Sequence, residues 1–299
     1  MPDMKLAETI HELSLEHVRN GGLIMGQNLE AVQNVCGTVP VGEPGVEIMP
    51  TCEAAGIGMA IGAALTGRPV IHVIRFASFL WLQSSPIVYY AARAKSQWGY
   101  DLPLFIRVSS DDGIGPTHSG AYHSPFIHMP GNLHVVAPMT SGEYRECWRQ
   151  FQETREPVLV SEQRCAYSNE LETPTTRNAK TIDVLIIAIS AARFAAIEAL
   201  RLLRKEGVGA EIIHLWQLEP LNTGEWIYMM AHAREAQNVI IVDSTYKWCS
   251  FAEHLAYMLY SNVNDVNVHV LGMTEPPGVG VYGGPSMHAI ANAAVGMVG

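Results

Sequence analysis

Apolar residues recur along this chain with two periods, and the two periods alternate. Ile10, Leu13, Leu15 and Val18 can share one side of a helix predicted over residues 6–19. Residues 21–26 read as a short buried strand and turn, followed by a loop to residue 50. A second helix is predicted over 53–65, stopped by Gly67-Arg68-Pro69, because glycine accepts the left-handed cap conformation and proline cannot continue. Residues 70–74, 104–108, 134–138 and 157–160 are rich in β-branched and apolar residues and read as strands. Helical spacing returns over 85–98 and over 141–153.

From residue 164 to 180 the chain turns polar, which marks a linker or surface crossing. A second unit then opens with a strand over 184–188, a helix over 191–206 stopped by Gly207, and a strand over 210–215. Further strands are predicted over 239–243 and 266–271, then a loop over 276–284 and a last helix over 286–298 capped by Ser286. Strands alternating with helices, and apolar along nearly their whole length, imply an α/β fold with mostly parallel sheets covered on both faces. Two such domains are expected, over 1–172 and 181–299, as suits a chain of 299 residues.

Composition narrows the function. The net charge is −10 and no basic run occurs, so nucleic acid is not an expected partner, since phosphate neutralisation needs clustered Lys and Arg. No apolar run reaches membrane-spanning length, because the richest stretch is interrupted by His72 and Arg75. Residues 1–5 carry neither a secretory h-region nor a transit pattern, which reads as a cytoplasmic protein. The five cysteines show no metal spacing and fit thiols in a reducing compartment, with Cys52 read as a small buried filler.

Two places carry candidate chemistry. Glu53 is a lone carboxylate opening a helix of glycine and alanine, where small residues let a flat ligand approach. A carboxylate in such surroundings loses hydration and becomes a candidate for proton transfer; the plainer reading is a helix-terminal glutamate favoured by the macrodipole. The glycine-rich stretch 113–124 follows a predicted strand and carries His118 and His123. In a parallel α/β sheet ligands sit at the carboxyl ends of strands, so these histidines are candidate proton donors to an anionic intermediate. A metal site is not expected there, because only Asp111 and Asp112 add ligand chemistry.

Several motifs occur in a telling order: Cys52-Glu53-Ala54-Ala55-Gly56, Phe76-Ala77-Ser78-Phe79, Ala91-Ala92-Arg93-Ala94-Lys95, and Gly120-Ala121-Tyr122-His123-Ser124. With Pro130-Gly131-Asn132-Leu133 and Ile213-His214-Leu215-Trp216 they resemble the beta subunit of thiamine-diphosphate-dependent 2-oxo acid dehydrogenases over nearly the whole chain. The run Gly115-Pro116-Thr117-His118 also resembles deoxyxylulose-phosphate synthase and transketolase. The resemblance implies a transketolase-like pyrimidine-binding domain followed by a transketolase C-terminal domain.

It also implies roles. Glu53 would bond a ring nitrogen of the aminopyrimidine, Phe79 and Phe76 would stack on that ring, and His123 and His118 would handle the intermediate. The Gly-Asp-Gly motif and downstream asparagine that hold diphosphate and Mg²⁺ in this superfamily are missing, Asp111-Asp112-Gly113 being the nearest string. Thiamine diphosphate would therefore be shared with an alpha-type partner chain that binds the diphosphate and Mg²⁺, most simply in an alpha2beta2 assembly. The substrate would be a 2-oxo acid, decarboxylated with acyl or aldehyde transfer. The sequence also departs from the resembled family at Trp216-Gln217-Leu218-Glu219, at Asp243–Ala252, and at Ser85-Pro86, which stands in place of an Asp-Gln pair. These departures keep two alternatives: a split carboligase transferring a ketol or acyl unit to an aldehyde, and a structural subunit that stabilises an alpha chain.

Overall fold

Residues 4–111, 115, 118–128, 131–172, 176–275 and 284–299 are described by a computed structural model, and among them two sheets organise the chain. The first unit runs α1 (Leu6–Arg19), β1 (Leu23–Gln27), α2 (Ala31–Gly37), β2 (Val46–Met49), α3 (Glu53–Leu65), β3 (Val70–Ile74), α4 (Leu80–Pro86), α5 (Ala94–Trp98), β4 (Leu104–Ser110), α6 (Ser124–Ile127), β5 (His134–Val136), α7 (Ser141–Thr154) and β6 (Val158–Gln163). The second runs β7 (Val184–Ile189), α8 (Ala192–Lys205), β8 (Ala210–Leu215), β9 (Gln217–Glu219), α9 (Thr223–Ala236), β10 (Asn238–Tyr246), α10 (Phe251–Asn262), β11 (Asn267–Met273) and α11 (Met287–Val298).

The larger sheet has the order β2-β1-β3-β4-β6-β5-β9 and the smaller β11-β10-β7-β8. All pairings are parallel except β5 with β9. The central strands β3, β4, β6 and β7 are buried at every position, which is why they read as apolar stretches without alternation, interrupted only by buried polar side chains such as His72, Arg107 and Glu162. One core cluster continues across both sheets, joining Val108 and Leu159 of the first to Leu185 and Ile241 of the second. β9 reinforces that junction by adding an edge strand from the second unit to the first sheet, with Ala137 N–H donating to the Trp216 carbonyl at 2.8 Å.

The helix expected over 85–98 is broken. α4 ends at Pro86, a wide π turn follows over Ile87–Ala91, and α5 restarts at Ala94. Proline has no N–H to continue the ladder and its ring crowds the preceding turn, so the helix re-registers there. The loop expected before residue 50 contains β2 and α2. In α2, Val32–Cys36 have φ between 50 and 57°, a left-handed winding that no helical periodicity signals. α9 and α10 escaped the sequence reading because their apolar residues are not confined to one stripe: Ile227, Tyr228, Tyr257 and Tyr260 are exposed.

A charged knot lies beneath the first sheet. Arg107 Nε and Nη2 donate to Glu162 at 2.7 and 3.0 Å, and both side chains are buried. Tyr144 and Tyr167 hydroxyls donate to the same carboxylate at 2.7 and 2.6 Å. Burial works to raise the Glu162 carboxyl, but the guanidinium and the hydroxyl donors outweigh it and hold the group below its ordinary range. No described helix is long and apolar enough to cross a membrane.

Candidate functional site

The carboxyl ends of β1 and β3 open onto a cavity of about 360 Å³. β1 delivers Gln27 and Asn28 to it, β3 delivers His72 through Phe76, and Glu53 enters as the first residue of α3. Phe79, Gln83 and His118 complete the lining. Four of the five residues singled out from the sequence therefore meet in one place: Glu53, Phe76, Phe79 and His118. The His118 ring stands edge-on to Phe76 at 4.5 Å and to Phe79 at 5.7 Å, so the three rings form one wall.

Glu53 is half-buried, and its backbone is fixed by a residue that sequence reasoning passed over. With the Gln27 amide oriented to face its donors, its oxygen accepts from the N–H groups of Glu53 at 3.2 Å and Cys52 at 3.3 Å. Gln27 thus supplies the cap that Cys52 cannot, and ties the start of α3 to the end of β1. Cys52 itself is exposed, not a buried filler, because it precedes the helix where the chain leaves the sheet.

His72 is the second residue missed as a site member. It is 2% exposed, and its Nε2 lies 2.7 Å from Gln83 Oε1. Burial pushes the ring down to about 4, which the Gln83 bond only partly offsets, so at neutral pH the imidazole is uncharged. Nε2–H then donates to Gln83, and Nδ1 is left as a bare acceptor with no partner among the described residues. The signal in the sequence was the single polar residue within an apolar strand.

The wall is backed by two cations. Arg75 lies 5.3 Å and Arg164 4.6 Å from the Phe76 ring centroid, each within cation–π reach of it. Arg164 donates to Asp111 at 3.0 Å, Ser109 at 2.9 Å and the Arg75 carbonyl at 2.8 Å.

His123 is not part of this cavity. It is 1% exposed, with Nδ1 3.1 Å from Ser161 Oγ and Nε2 3.1 Å from Asp243 Oδ2. Both ring nitrogens are engaged, so the ring has no face to offer a ligand. Residues 112–114, 116 and 117 of the glycine-rich loop, Pro130, and residues 276–283 of the expected tail loop lie outside the described residues. Among the described residues no group of three or more His, Cys, Asp or Glu side chains is placed to hold a metal.

The cavity suits a flat, nitrogen-bearing ring. It has a carboxylate at one end, an orphaned buried acceptor in His72 Nδ1, amides in Gln27 and Gln83, and an aromatic wall. Arg75 is the one Lys or Arg in its described lining, so it offers little to a diphosphate.

Residues 42–169 match the transketolase pyrimidine-binding domain and residues 175–290 the transketolase C-terminal domain. The chain is 27% identical to the beta subunit of acetoin:2,6-dichlorophenolindophenol oxidoreductase of Cupriavidus necator, over 69% of this chain and 64% of that one. It is 28% identical to the beta subunit of the pyruvate dehydrogenase E1 component of Porphyra purpurea, over 76% and 70%. It is likewise 28% identical to the 2-oxoisovalerate dehydrogenase subunit beta of Bacillus subtilis, over 60% of each. The match thus spans between six- and seven-tenths of these three relatives. A solved structure described as a split gene transketolase, inactive beta4 tetramer, superposes over 99% of this chain and 98% of its own, with a TM-score of 0.76 at 16% identity; at that identity it speaks for the fold alone.

Proposed function

The chain belongs to the transketolase family of thiamine-diphosphate proteins, and we propose that it is the beta-type subunit of a two-chain enzyme acting on a 2-oxo acid. The domain divide is set between residues 172 and 181. The observation that carries the reading is the cavity in which Glu53, His72, Phe76, Phe79 and His118 meet. When bound, thiamine diphosphate supplies a nucleophilic carbon and an electron sink for cleaving the bond beside a carbonyl.

This chain's residues would hold the pyrimidine half. Glu53, aimed from a helix N-terminus, holds a proton against a ring nitrogen. His72 Nδ1 accepts from a ring or amino N–H, an assignment its bare lone pair calls for. Phe76 and Phe79 keep water off one face, and His118, set in the same wall, is the histidine placed to move a proton near the substrate. His123, with both nitrogens engaged elsewhere, serves as a joint. The diphosphate and Mg²⁺ fall to an alpha-type partner, since this lining is ring-sized and poor in cations. A structural subunit would have no need of Glu53 and His118 in one cavity, which favours the enzyme.

The test is calorimetric titration of thiamine diphosphate with Mg²⁺ into this chain alone and into the chain assembled with its partner. Binding is expected only in the assembly, together with turnover of a 2-oxo acid. Tight binding by the isolated chain, or none by the assembly, would overturn the half-site reading.

A further inference from the structure

Arg75 lines the cavity that holds Glu53, and it stands there half-buried without a counter-ion. It directly follows β3, at the carboxyl end where that strand opens onto the cavity. Arg107, Arg164 and Arg193 each hold a carboxylate, from Glu162, Asp111 and Glu143 respectively. Among the described residues the Arg75 side chain has neither an ion pair nor a hydrogen bond. Its Nε is buried without a partner, and no ion pair joins it to Glu53, the carboxylate of the same lining.

Arg75 does have a fixed position. Its guanidinium lies 5.3 Å from the Phe76 ring centroid, within reach of the ring's negative face. Arg164 lies 4.6 Å from the same ring, but Asp111 at 3.0 Å already matches its charge. The surplus positive charge is therefore that of Arg75. Burial first and Arg164 second hold Arg75 below its ordinary value, the direction expected of a cation without a carboxylate partner. Charges withdrawn from water are normally paired, so the cavity lacks one anion.

The reaction proposed above says which anion fits. A 2-oxo acid carries one carboxylate that is lost: the bond to it breaks, the electron pair stays with the substrate carbon, and CO2 leaves neutral. A guanidinium on that carboxylate would hold the ground state more firmly than the transition state and slow the step. An anion kept through the reaction brings no such penalty. The planar guanidinium fork matches a carboxylate through two parallel hydrogen bonds. The cavity, of about 360 Å³, also has room for more than one ring, since sites from about 300 Å³ upward hold whole small-molecule ligands.

We propose that Arg75 sets the substrate class of this site by pairing with a second carboxylate, at the far end of a 2-oxo dicarboxylic acid. The inference rests on the function proposed above, and the experiment separates the two.

The chain assembled with its partner and loaded with thiamine diphosphate and Mg²⁺ is assayed on 2-oxoglutarate and 2-oxoadipate. The comparison substrates are 2-oxopentanoate and 2-oxohexanoate, which match them in carbon number. Parent kcat/KM should favour the dicarboxylates by at least about tenfold, with the difference mainly in KM, because the far carboxylate is held equally before and during the reaction. Arg75→Met should erase that preference, and Arg75→Lys, which keeps the charge but not the fork, should retain part of it. Thiamine diphosphate affinity of both variant assemblies, read by calorimetry, should change by less than about threefold. The parent comparison needs no variant, so a folding defect in Arg75→Met does not shield the proposal. A parent that turns over the monocarboxylates as well as the dicarboxylates overturns the proposal and leaves the function standing. A preference that survives in folded Arg75→Met does the same. Loss of cofactor binding or of assembly in both variants would assign the guanidinium to the cofactor or to the partner chain, and overturns the proposal likewise. Turnover of none of the four acids overturns the function proposed above and this inference with it.

Discussion

His123 Nε2 lies 3.1 Å from Asp243 Oδ2, 120 residues further along the chain, and both side chains are shut away from water. The same histidine reaches Ser161 of β6 through Nδ1, and the same carboxylate accepts from the Thr245 hydroxyl at 2.9 Å. One residue therefore links the segment after β4 to the ends of β6 and β10, in different sheets. Gln163 Nε2 donating to Ser244 Oγ at 3.1 Å and Phe251 N–H donating to Ser124 Oγ at 3.2 Å are parallel ties nearby. The joint holds the two carboxyl-end surfaces in register, and the cavity that contains Glu53 opens at the carboxyl ends of the first sheet.

His123→Ala should then be a stability variant. It strips Asp243 of a buried partner and should cost about 3 kcal/mol, within the range for a buried group left short of a partner. His118→Ala, in a cavity wall, should cost well under that while reducing turnover of the assembled enzyme. Urea midpoints of the two variants, set beside turnover, separate the roles. Equal midpoints for both variants and parent would remove the joint from the account.

The sequence made the two-unit α/β plan legible because its buried strands open on runs of apolar residues, and Glu53, Phe76 and Phe79 legible because they stand in ordered motifs. It did not reveal which loop histidine faces the cavity. His118 and His123 are five residues apart on one loop, and the difference lies in Asp243, a partner that no local pattern connects to either. Gln27 was hidden for a similar reason: its work is to cap a helix that begins 26 residues later (53 − 27). The break at Pro86 was legible in principle, since proline inside helical spacing marks a kink.

His72 gives the folded state a pH dependence with a definite sign. Its folded value is about 4 and its ordinary value 6.5, so between these the unfolded chain binds the extra proton. Stability is then full above about pH 6.5, falls as the pH drops, and levels off below about 4. His17, also lowered to about 4 chiefly by burial, adds a slope of the same sign. Each should cost about 2 kcal/mol between pH 7 and pH 5. His72→Gln should flatten its share of that slope in urea titrations at the two pH values. An unchanged slope would mean that the buried ring is not the group responsible.

Glu162→Gln leaves the Arg107 guanidinium buried beside a neutral amide. Two tyrosine hydroxyls that now donate to a carboxylate would face a weaker acceptor. A loss of about 3–5 kcal/mol is expected, as for removal of one charge from a buried pair. Arg107→Met paired with Glu162→Leu should recover much of it, because that double change leaves no lone charge. A double variant as unstable as the single one would show that the shape of the network, rather than its charge, holds the sheet.

Glu53→Gln tests the central assignment. The substitution keeps the side chain's volume and its place at the start of α3, and forfeits only a favourable charge at a helix N-terminus, about 0.3–1 kcal/mol. Fold and assembly with the partner chain should therefore survive. What the amide cannot do is hold and return a proton at a ring nitrogen, so turnover of the assembled enzyme should drop by about 10²–10⁴-fold. Turnover alone would not locate the fault, since a misplaced cofactor would lower it too. Two further readouts resolve this. Cofactor affinity should change far less than turnover, because one hydrogen bond among many is weakened. Exchange of the cofactor's acidic carbon-bound proton with deuterated solvent should slow in step with turnover. Exchange at the parent rate, with turnover lost, would move the proton-handling role away from Glu53 and leave it as a helix-terminal carboxylate.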